Sequence, residues 1–443
     1  MSTTLNRAIS GGANRIEPEE VRITGDRYTS REFMELELDY MWARVWNIGG
    51  RSMEIPEAGD YVVHQLGRDS ILMVRQEDGS IRAFHNVCPH RGNRLVNNRE
   101  GSVDAFTCGY HGWTFAHDGT LIVVQDEEDF PQGNPCGKLA LSQIPCEDYA
   151  GFIWYNMDEH APSLESFLGP IKTYFDTHQL ENMTRTFYRV TEVAFNWKAL
   201  HDNFCESYHL PTAHPQLADY YDDDYQNTTF ELFDGHHSLM KMKGCMPSVR
   251  GSDPAVINDT LRAEMELWGL DPKEFEGRAQ DVRGAMQQHK RRIAGERGFS
   301  HWLTVEDDWL TDAYHFNMFP GTSITVSSIG ASMQRCEPHP WDPNKSIYEH
   351  WHMTIKPLKD GMVSSPDGWV PFRQAERDEF PYGTKSVGFT ADQDLQVATG
   401  QQLGFQSRGF KGAYLSGQEN RIQQFHNGID RYIAEGKAQK EGR

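Results

Sequence analysis

The sequence predicts an α+β protein in which an all-β domain precedes a larger domain of helices packed on an antiparallel sheet. Three observations carry this reading. Between residues 48 and 156, short apolar runs (YVVHQL, SILMVRQ, IRAFHNV, TLIVVQ, GFIWYN) alternate with Gly, Asp and Asn turn signals, the texture of short β-strands. Beyond residue 160 two long strand-like stretches, SITVSSIGASMQRC and SIYEHWHMTIKPL, sit among segments of helical period at 196–209, 256–297 and 391–408 and in the C-terminal ENRIQQFHNGIDRYIAEG, which places helices against antiparallel strands. The chain has 443 residues, more than one ordinary core accommodates, so separate domains are expected.

Residues 1 to about 30 are polar and read as a loose arm. From Ser30 to Trp46 the apolar residues Phe33, Met34, Leu36, Leu38, Met41 and Val45 recur at helical spacing, with Thr29 or Ser30 as N-cap. The basic run MQQHKRR, Met286 to Arg292, reads as a solvated helix face. The net charge of −21 repels phosphate backbones and anionic lipid, which excludes nucleic acid and membrane surfaces as partners. No run approaches the ~18 apolar residues of a membrane span, and the first residues lack the apolar core of a secretory signal. Seven cysteines, an odd and modest number, do not form a disulfide framework and suit a reducing cytoplasm.

Two short segments carry chemistry. In HNVCPHRGNRL and FTCGYHGWTF, Cys88 and His90 are one residue apart, Cys108 and His111 two, and seventeen residues separate the pairs. Two mixed Cys/His pairs on adjacent β-loops can place two thiolates on one iron and two imidazoles on the other, which is the Rieske form of a [2Fe–2S] cluster. Pro89, Gly92, Gly109 and Gly112 suit tight loops whose N–H groups face sulfur. A structural zinc and a chance arrangement of buried Cys and His are the competing readings, although zinc fingers usually pair Cys with Cys and His with His.

The second segment is FNWKALHDNFCESYHLPTAHP. His209 and His214 lie five apart with Pro211 between them. A continuous helix brings residues three or four apart onto one face, so Pro211 is expected to break the helix after His209 and let both rings reach one metal. Asn196, His201, Asp202, Asn203, Glu206 and Tyr208 crowd the same stretch; the bland alternatives are core histidines and a solvated helix face. Two His and one carboxylate form the facial triad of non-haem Fe(II) oxygenases, but spacing alone does not choose the carboxylate. In the region after His214, Tyr220, Tyr221, Phe230, Met240, Met242 and Met246 are candidates for a pocket wall or for plain core, and Cys205 reads as a packing residue.

In these segments the chain resembles the catalytic α subunit of Rieske non-haem iron ring-hydroxylating oxygenases. The resemblance covers nearly the whole chain: YTSREFMELELDYMWARVWNIGG, the CPHRG and CGYHGW boxes, the NWK…DNF…ESYH…H box, and FTADQDLQVATGQQLGFQS near the C-terminus. It implies a Rieske domain over 48–160 inserted into a helix-grip catalytic domain over 161–443, with 1–47 as the catalytic domain's arm and first helix. It implies a [2Fe–2S] cluster on Cys88, His90, Cys108 and His111, and a mononuclear Fe(II) on His209, His214 and Asp394. Asp394 is chosen because Gln402, Gly404 and Ser407 follow it in the family's pattern, with Asp392 as the fallback. Glu206 and Asn203 are the non-ligand residues implied for the reaction. Glu206 would bridge His209 to His111 of the partner subunit in a ring-shaped homotrimer, with or without a small β subunit. Many ring dioxygenases carry Asp at that position, whereas the E-x-Y-H form seen here is more like members that oxidise quaternary amines as monooxygenases; Asp202 likewise replaces a more frequent Glu. The implied activity is that of a terminal oxygenase. It takes O₂, and electrons from a separate reductase, directly or through a ferredoxin, and hydroxylates a small organic substrate. An aromatic substrate places it in aromatic hydrocarbon catabolism; the alternative is N- or O-dealkylation of a non-aromatic or quaternary-amine substrate, and a more distant one is a simple Rieske electron carrier.

Overall fold

The structure, a computed structural model, describes residues 7–10, 22–250, 253 and 255–441. The arm expected over residues 1 to about 30 lies mostly outside these. Its described parts are a strand, Arg7–Ser10, and a short helix, Asp26–Thr29, so they are not loose. The chain forms two compact units: Leu38–Phe167, which is contiguous, and Met1–Glu37 with Leu168–Arg443.

The smaller unit is mainly β, with only short helical turns between its strands and helix ends at its limits. Its largest sheet has five strands in the order Gln143–Ile144, Ile81–His85, Asp69–Arg75, Asp60–Leu66, Glu100–Ser102. Ile71, Leu72, Met73 and Val74 are all fully buried, so the central strand reads as an unbroken apolar run, as a strand covered on both faces must. Two three-stranded sheets complete it, one of them Cys146–Tyr149, Phe152–Tyr155 and Asn47–Arg51. The unit extends beyond 48–160 because side chains tie its ends down. Asn47 Nδ2 donates to the carbonyls of Trp42 and Val45, Asn156 Nδ2 to that of Arg44, and Trp46 Nε1 to that of Pro162. The helix expected from Ser30 runs from Arg31 to Tyr40, and Ser30 Oγ accepts the Phe33 N–H at 3.2 Å.

The larger unit is built on nine strands: β1 (Arg7–Ser10), β2 (Thr184–Val193), β3 (Thr229–Leu232), β4 (Ser238–Met242), β5 (Ala313–Met318), β6 (Thr322–Val326), β7 (Gly330–Pro338), β8 (Ser346–Thr354) and β9 (Asp378–Glu379). They lie in the order β1-β3-β4-β5-β6-β7-β8-β2-β9, antiparallel except for β2 and β9. Register gives the sheet two unlike faces. Leu239, Phe316, Ile324, Met333 and Trp351 align across β4 to β8 as an apolar row, while the neighbouring row is Ser238, Asn317, Ser323, Gln334 and His350. Successive side chains point to opposite faces, so at this level of the sheet one face is apolar and the other polar.

Among its helices are α1 (Trp197–Phe204), α2 (Leu210–Ala213), α3 (Asp259–Trp268), α4 (Val282–Arg297), α5 (Phe389–Phe405) and α6 (Asn420–Glu441). The helix expected over 196–209 stops at Phe204, well before His209, and Pro211 sits inside the first turn of α2, where its missing N–H has no intrahelical partner to lose. The segment 256–297 is two helices, because Gly269 adopts φ +83° at the end of α3 and Pro272 follows. The basic run is not a solvated face: Met286, Gln287 and Lys290 are buried, and Lys290 Nζ lies 4.8 Å from the Trp268 ring centroid and donates to the Leu310 carbonyl. An aliphatic stem with an ammonium over an indole buries without losing its electrostatic partner.

Within this unit Lys198 of α1 forms an ion pair with Glu37 at 2.7 Å, at 0% and 1% exposure. Burial pushes the Glu37 carboxyl up and the Lys198 ammonium down, and each group opposes the shift of the other. Glu37→Ala leaves a buried unpaired cation and is expected to destabilise the unit by about 3–5 kcal/mol. The double variant Glu37→Leu/Lys198→Met is expected to recover most of that loss, as read by denaturant unfolding.

Candidate metal centres

The two Cys/His loops of the smaller unit are built alike. Cys88 N–H donates to the Asn93 carbonyl and Gly92 N–H returns to the Cys88 carbonyl, at 2.8 and 3.0 Å. Cys108 N–H donates to the Trp113 carbonyl and Gly112 N–H returns to Cys108, again at 2.8 and 3.0 Å. Gly92 and Gly112 sit at φ +73° and +69°, a conformation glycine adopts without Cβ strain. The loops bring like donors together. Cys88 and Cys108 are neighbours, 1% and 2% exposed, and the half-buried His90 and His111 rings lie 4.7 Å apart. Trp113 stacks on His90 at 4.5 Å and Tyr110 lies against His111 at 3.8 Å.

Backbone N–H groups of His90 and Arg91 face Cys88, those of Tyr110 and His111 face Cys108, and Asn93 Nδ2 is 3.7 Å from Cys108 Sγ. Burial raises the Cys88 thiol. It acts the same way on Cys108, but donors from Tyr110, Cys88 and Asn93 outweigh it and hold that thiol below its ordinary range. A sulfur pair ringed by N–H donors beside an imidazole pair fits a two-iron cluster with thiolates on one iron and imidazoles on the other. It fits one tetrahedral zinc poorly. Among the described residues, the group of three or more donors that all lie within 4.8 Å of one another is found in the larger unit.

That group is His209, His214 and Asp394. The chain leaves α1 at Phe204, turns through Cys205–Tyr208 and re-enters helix at Leu210, so His209 caps α2 and His214 closes it. The two rings face each other at 5.1 Å and 79°. Asp394, in the second turn of α5, places Oδ1 2.7 Å from His214 Nε2 and 3.6 Å from His209 Nε2. The outward nitrogens are occupied: Glu206 Oε1 is 2.8 Å from His209 Nδ1, and Gln393 Oε1 is 2.9 Å from His214 Nδ1. Glu206 Oε2 also accepts the His209 backbone N–H at 3.0 Å. With protons on both Nδ1 atoms, two Nε2 lone pairs and a carboxylate oxygen converge, which is a repulsive arrangement unless a cation lies among them. Burial disfavours a charged His214, yet Asp394 beside it outweighs burial and raises the ring above its ordinary value, the same appetite for positive charge. Two imidazoles and one carboxylate on one side of a metal fit non-haem Fe(II).

Asn203 Nδ2 donates to Asp394 Oδ1 at 2.8 Å. Asp202 faces away from this group. It accepts the Tyr28 hydroxyl and lies 3.1 Å from His426 Nε2, in a buried network with Arg27 and Asp430. The fallback Asp392 is used elsewhere, accepting the Val387 N–H and the Ser386 hydroxyl at the start of α5. Phe230, Met240 and Met242 form a small apolar cluster with Leu210 and Ala313, and Leu217 and Tyr221 pack against it; Tyr220 instead meets Cys245, its hydroxyl 3.3 Å from Sγ. Cys205 is buried, its thiol pushed up to about 12 by burial, with Asn317 Nδ2 2.8 Å from the sulfur. His201 is buried against the Phe425 ring at 4.3 Å, and Tyr208 is exposed.

Sequence reasoning missed Gln393, Gln216 and Arg421. Arg421 is fully buried, donates to Ser238 Oγ and Asn317 Oδ1, and is drawn down to about 10 by burial. Gln393 could have been noticed as the neighbour of Asp394, but no spacing signals Gln216 or Arg421.

Comparison with known proteins agrees with this geometry. The Rieske [2Fe-2S] domain family matches residues 45–134, and the family described as ring hydroxylating alpha subunit (catalytic domain) matches residues 180–435. The chain therefore belongs to the ring-hydroxylating alpha subunits of Rieske non-haem iron oxygenases, whose cofactors are a [2Fe–2S] cluster and a mononuclear iron. It is 33% identical, over 46% of its length, to 56% of the carnitine monooxygenase oxygenase subunit of Acinetobacter baumannii. It is 36% identical, over 42% of its length, to 41% of the biphenyl 2,3-dioxygenase subunit alpha of Rhodococcus jostii. The matches thus span about half the length of these curated relatives. In fold it is similar to naphthalene 1,2-dioxygenase with indole bound, at TM-score 0.66 and 21% identity over 95% of this chain and 94% of that one. Among the described residues, no helix is long and apolar enough to cross a membrane.

Proposed function

We propose that this protein is the terminal oxygenase of a multicomponent system, using O₂ and electrons from a separate reductase, directly or through a ferredoxin, to hydroxylate a small organic substrate. The observation that carries the reading is the pairing, in one chain, of the twin Cys/His loops with a His209/His214/Asp394 group whose Nδ1 atoms are both capped from outside. In this reading Cys88, His90, Cys108 and His111 hold the cluster, and His209, His214 and Asp394 hold the iron. When bound, the cluster supplies single electrons and the iron supplies a site for O₂.

The remaining chemistry belongs to the chain. Glu206 fixes His209 by accepting from both its ring and its backbone N–H. Asn203 pins one Asp394 oxygen and so limits how that carboxylate can swing. Leu210, Phe230, Met240 and Met242 are a buried apolar cluster beginning one residue from His209, and apolar side chains beside a site suit an apolar ring. An aromatic substrate is the first reading on that ground. The second, oxidation of a quaternary amine, is favoured by Glu206 in its E-x-Y-H setting and by similarity to the carnitine monooxygenase subunit.

The assembly we propose is a cytoplasmic homotrimer, with or without a β subunit, in which Glu206 meets His111 of the partner subunit. Phe389, Val397 and Leu403, which fall on one side of α5 and are 64%, 38% and 69% exposed, are the kind of apolar side chains a second copy covers. Turnover with a surrogate reductase against aromatic acids, polycyclic hydrocarbons, N-alkyl compounds and quaternary amines tests the reading. A single or double hydroxylation that consumes O₂ is expected, with the cluster's two irons and one more per chain. Absence of the third iron would reduce the protein to an electron carrier.

A further inference from the structure

His209 and His214 differ in what holds their outer nitrogen. His209 leans on a carboxylate. His214 leans on the neutral amide of Gln393, whose Oε1 also takes a hydrogen bond from Gln216 Nε2 at 2.7 Å. Gln393 and Gln216 are both half-buried, and they come from different elements: Gln393 from α5, Gln216 from the turn after His214.

Resting on the metal-site reading, we infer that Gln393, seated by Gln216, is the positioning residue that presents His214 Nε2 to a divalent metal. The chain of amides has two self-consistent settings. In one, Gln216 donates to Gln393 Oε1, His214 Nδ1–H donates to the same oxygen, and the Nε2 lone pair faces the Asp394 side. In the other, both amides are turned over, Gln393 donates to Nδ1, and the proton sits on Nε2, where it can be given to Asp394 Oδ1 2.7 Å away. Only the first can bind metal, because a metal takes the nitrogen lone pair. Glu206 has no such ambiguity, since a carboxylate only accepts. Hence His209 is held permanently in the metal-ready tautomer and His214 conditionally, with Gln216 biasing the choice.

The experiment strips the mononuclear metal from the holoenzyme, leaves the cluster in place, and titrates cobalt(II) chloride calorimetrically. Gln393→Leu, which can neither accept nor donate, is expected to weaken cobalt binding roughly 10–100-fold. Gln216→Leu is expected to weaken it less, since Gln393 stays but loses its bias. Gln393→Glu, which can only accept, is expected to restore binding to the wild-type level or tighter; a merely space-filling role would not produce that rescue. Melting curves and the cluster's absorption report whether each variant is folded. Should the leucine variant at 393 fail to fold, the comparison of Gln393→Glu with Gln216→Leu decides alone. Cobalt affinities within two-fold across all variants, or a glutamate variant as weak as leucine, would overturn the inference while leaving the metal site standing. Wild-type protein that takes up no cobalt would overturn the site and the inference together.

Discussion

Replacing Asp394 with alanine is expected to empty the mononuclear site and abolish turnover while leaving the cluster's visible spectrum unchanged. Asp394 is the single carboxylate in the converging group, and its side chain is only 4% exposed. Without it two neutral imidazoles remain, too few donors and too little charge to hold Fe(II) against water. Its removal also strands the Asn203 amide, which now donates to Oδ1. Loss of a residue that merely supports a ligand costs roughly 10–100-fold in affinity or activity, and loss of the ligand itself should exceed that. Iron analysis should fall by one per chain. Retention of all the iron, with turnover intact, would return the choice of carboxylate to Asp392.

The second large effect separates metal retention from catalysis. Glu206→Ala is expected to keep both metals at saturating Fe(II) and yet lose turnover by about 100-fold or more. Glu206 lies outside the converging group. Both of its oxygens are committed to His209, and in the proposed trimer it is also the link to His111 of the partner subunit. Glu206→Gln keeps an acceptor for the ring while removing the charge, so it should retain His209 geometry and show whether charge or contact is limiting. Near-full activity of the alanine variant with its reductase would sink the assignment.

How much of this was legible beforehand depended on whether the contact was local. The Cys88/His90 and Cys108/His111 loops are short closed frames whose hydrogen bonds run between residues four or five apart, so spacing and glycine placement were enough to recognise them. The strands of the smaller unit were legible for the same reason. The stretch from Asn196 to His214 was legible in composition but not in shape. Pro211 marked a break in the helix, yet the break falls at Cys205, where the turn aims Glu206 back at His209. The basic run at 286–292 misled because its environment, Trp268 and Trp302, comes from other segments. Gln216 beneath Gln393 and Arg421 beneath Asn317 are 177 and 104 residues from their partners, and no period or spacing in one sequence announces contacts of that reach.

The discontinuity of the larger unit bears on how the protein is made. Arg27 forms its ion pair with Asp430, 403 positions away, and Tyr28 shares its buried network with His426. During synthesis Arg27 has no Asp430 to pair with until α6 has been made. The contiguous segment 38–167 needs no such wait, so it is the part that can close first and receive its cluster while the rest of the chain is still being added. Premature termination between residue 167 and α6 would then leave the smaller unit complete and the larger one unfinished, a product that cellular quality control would have to remove.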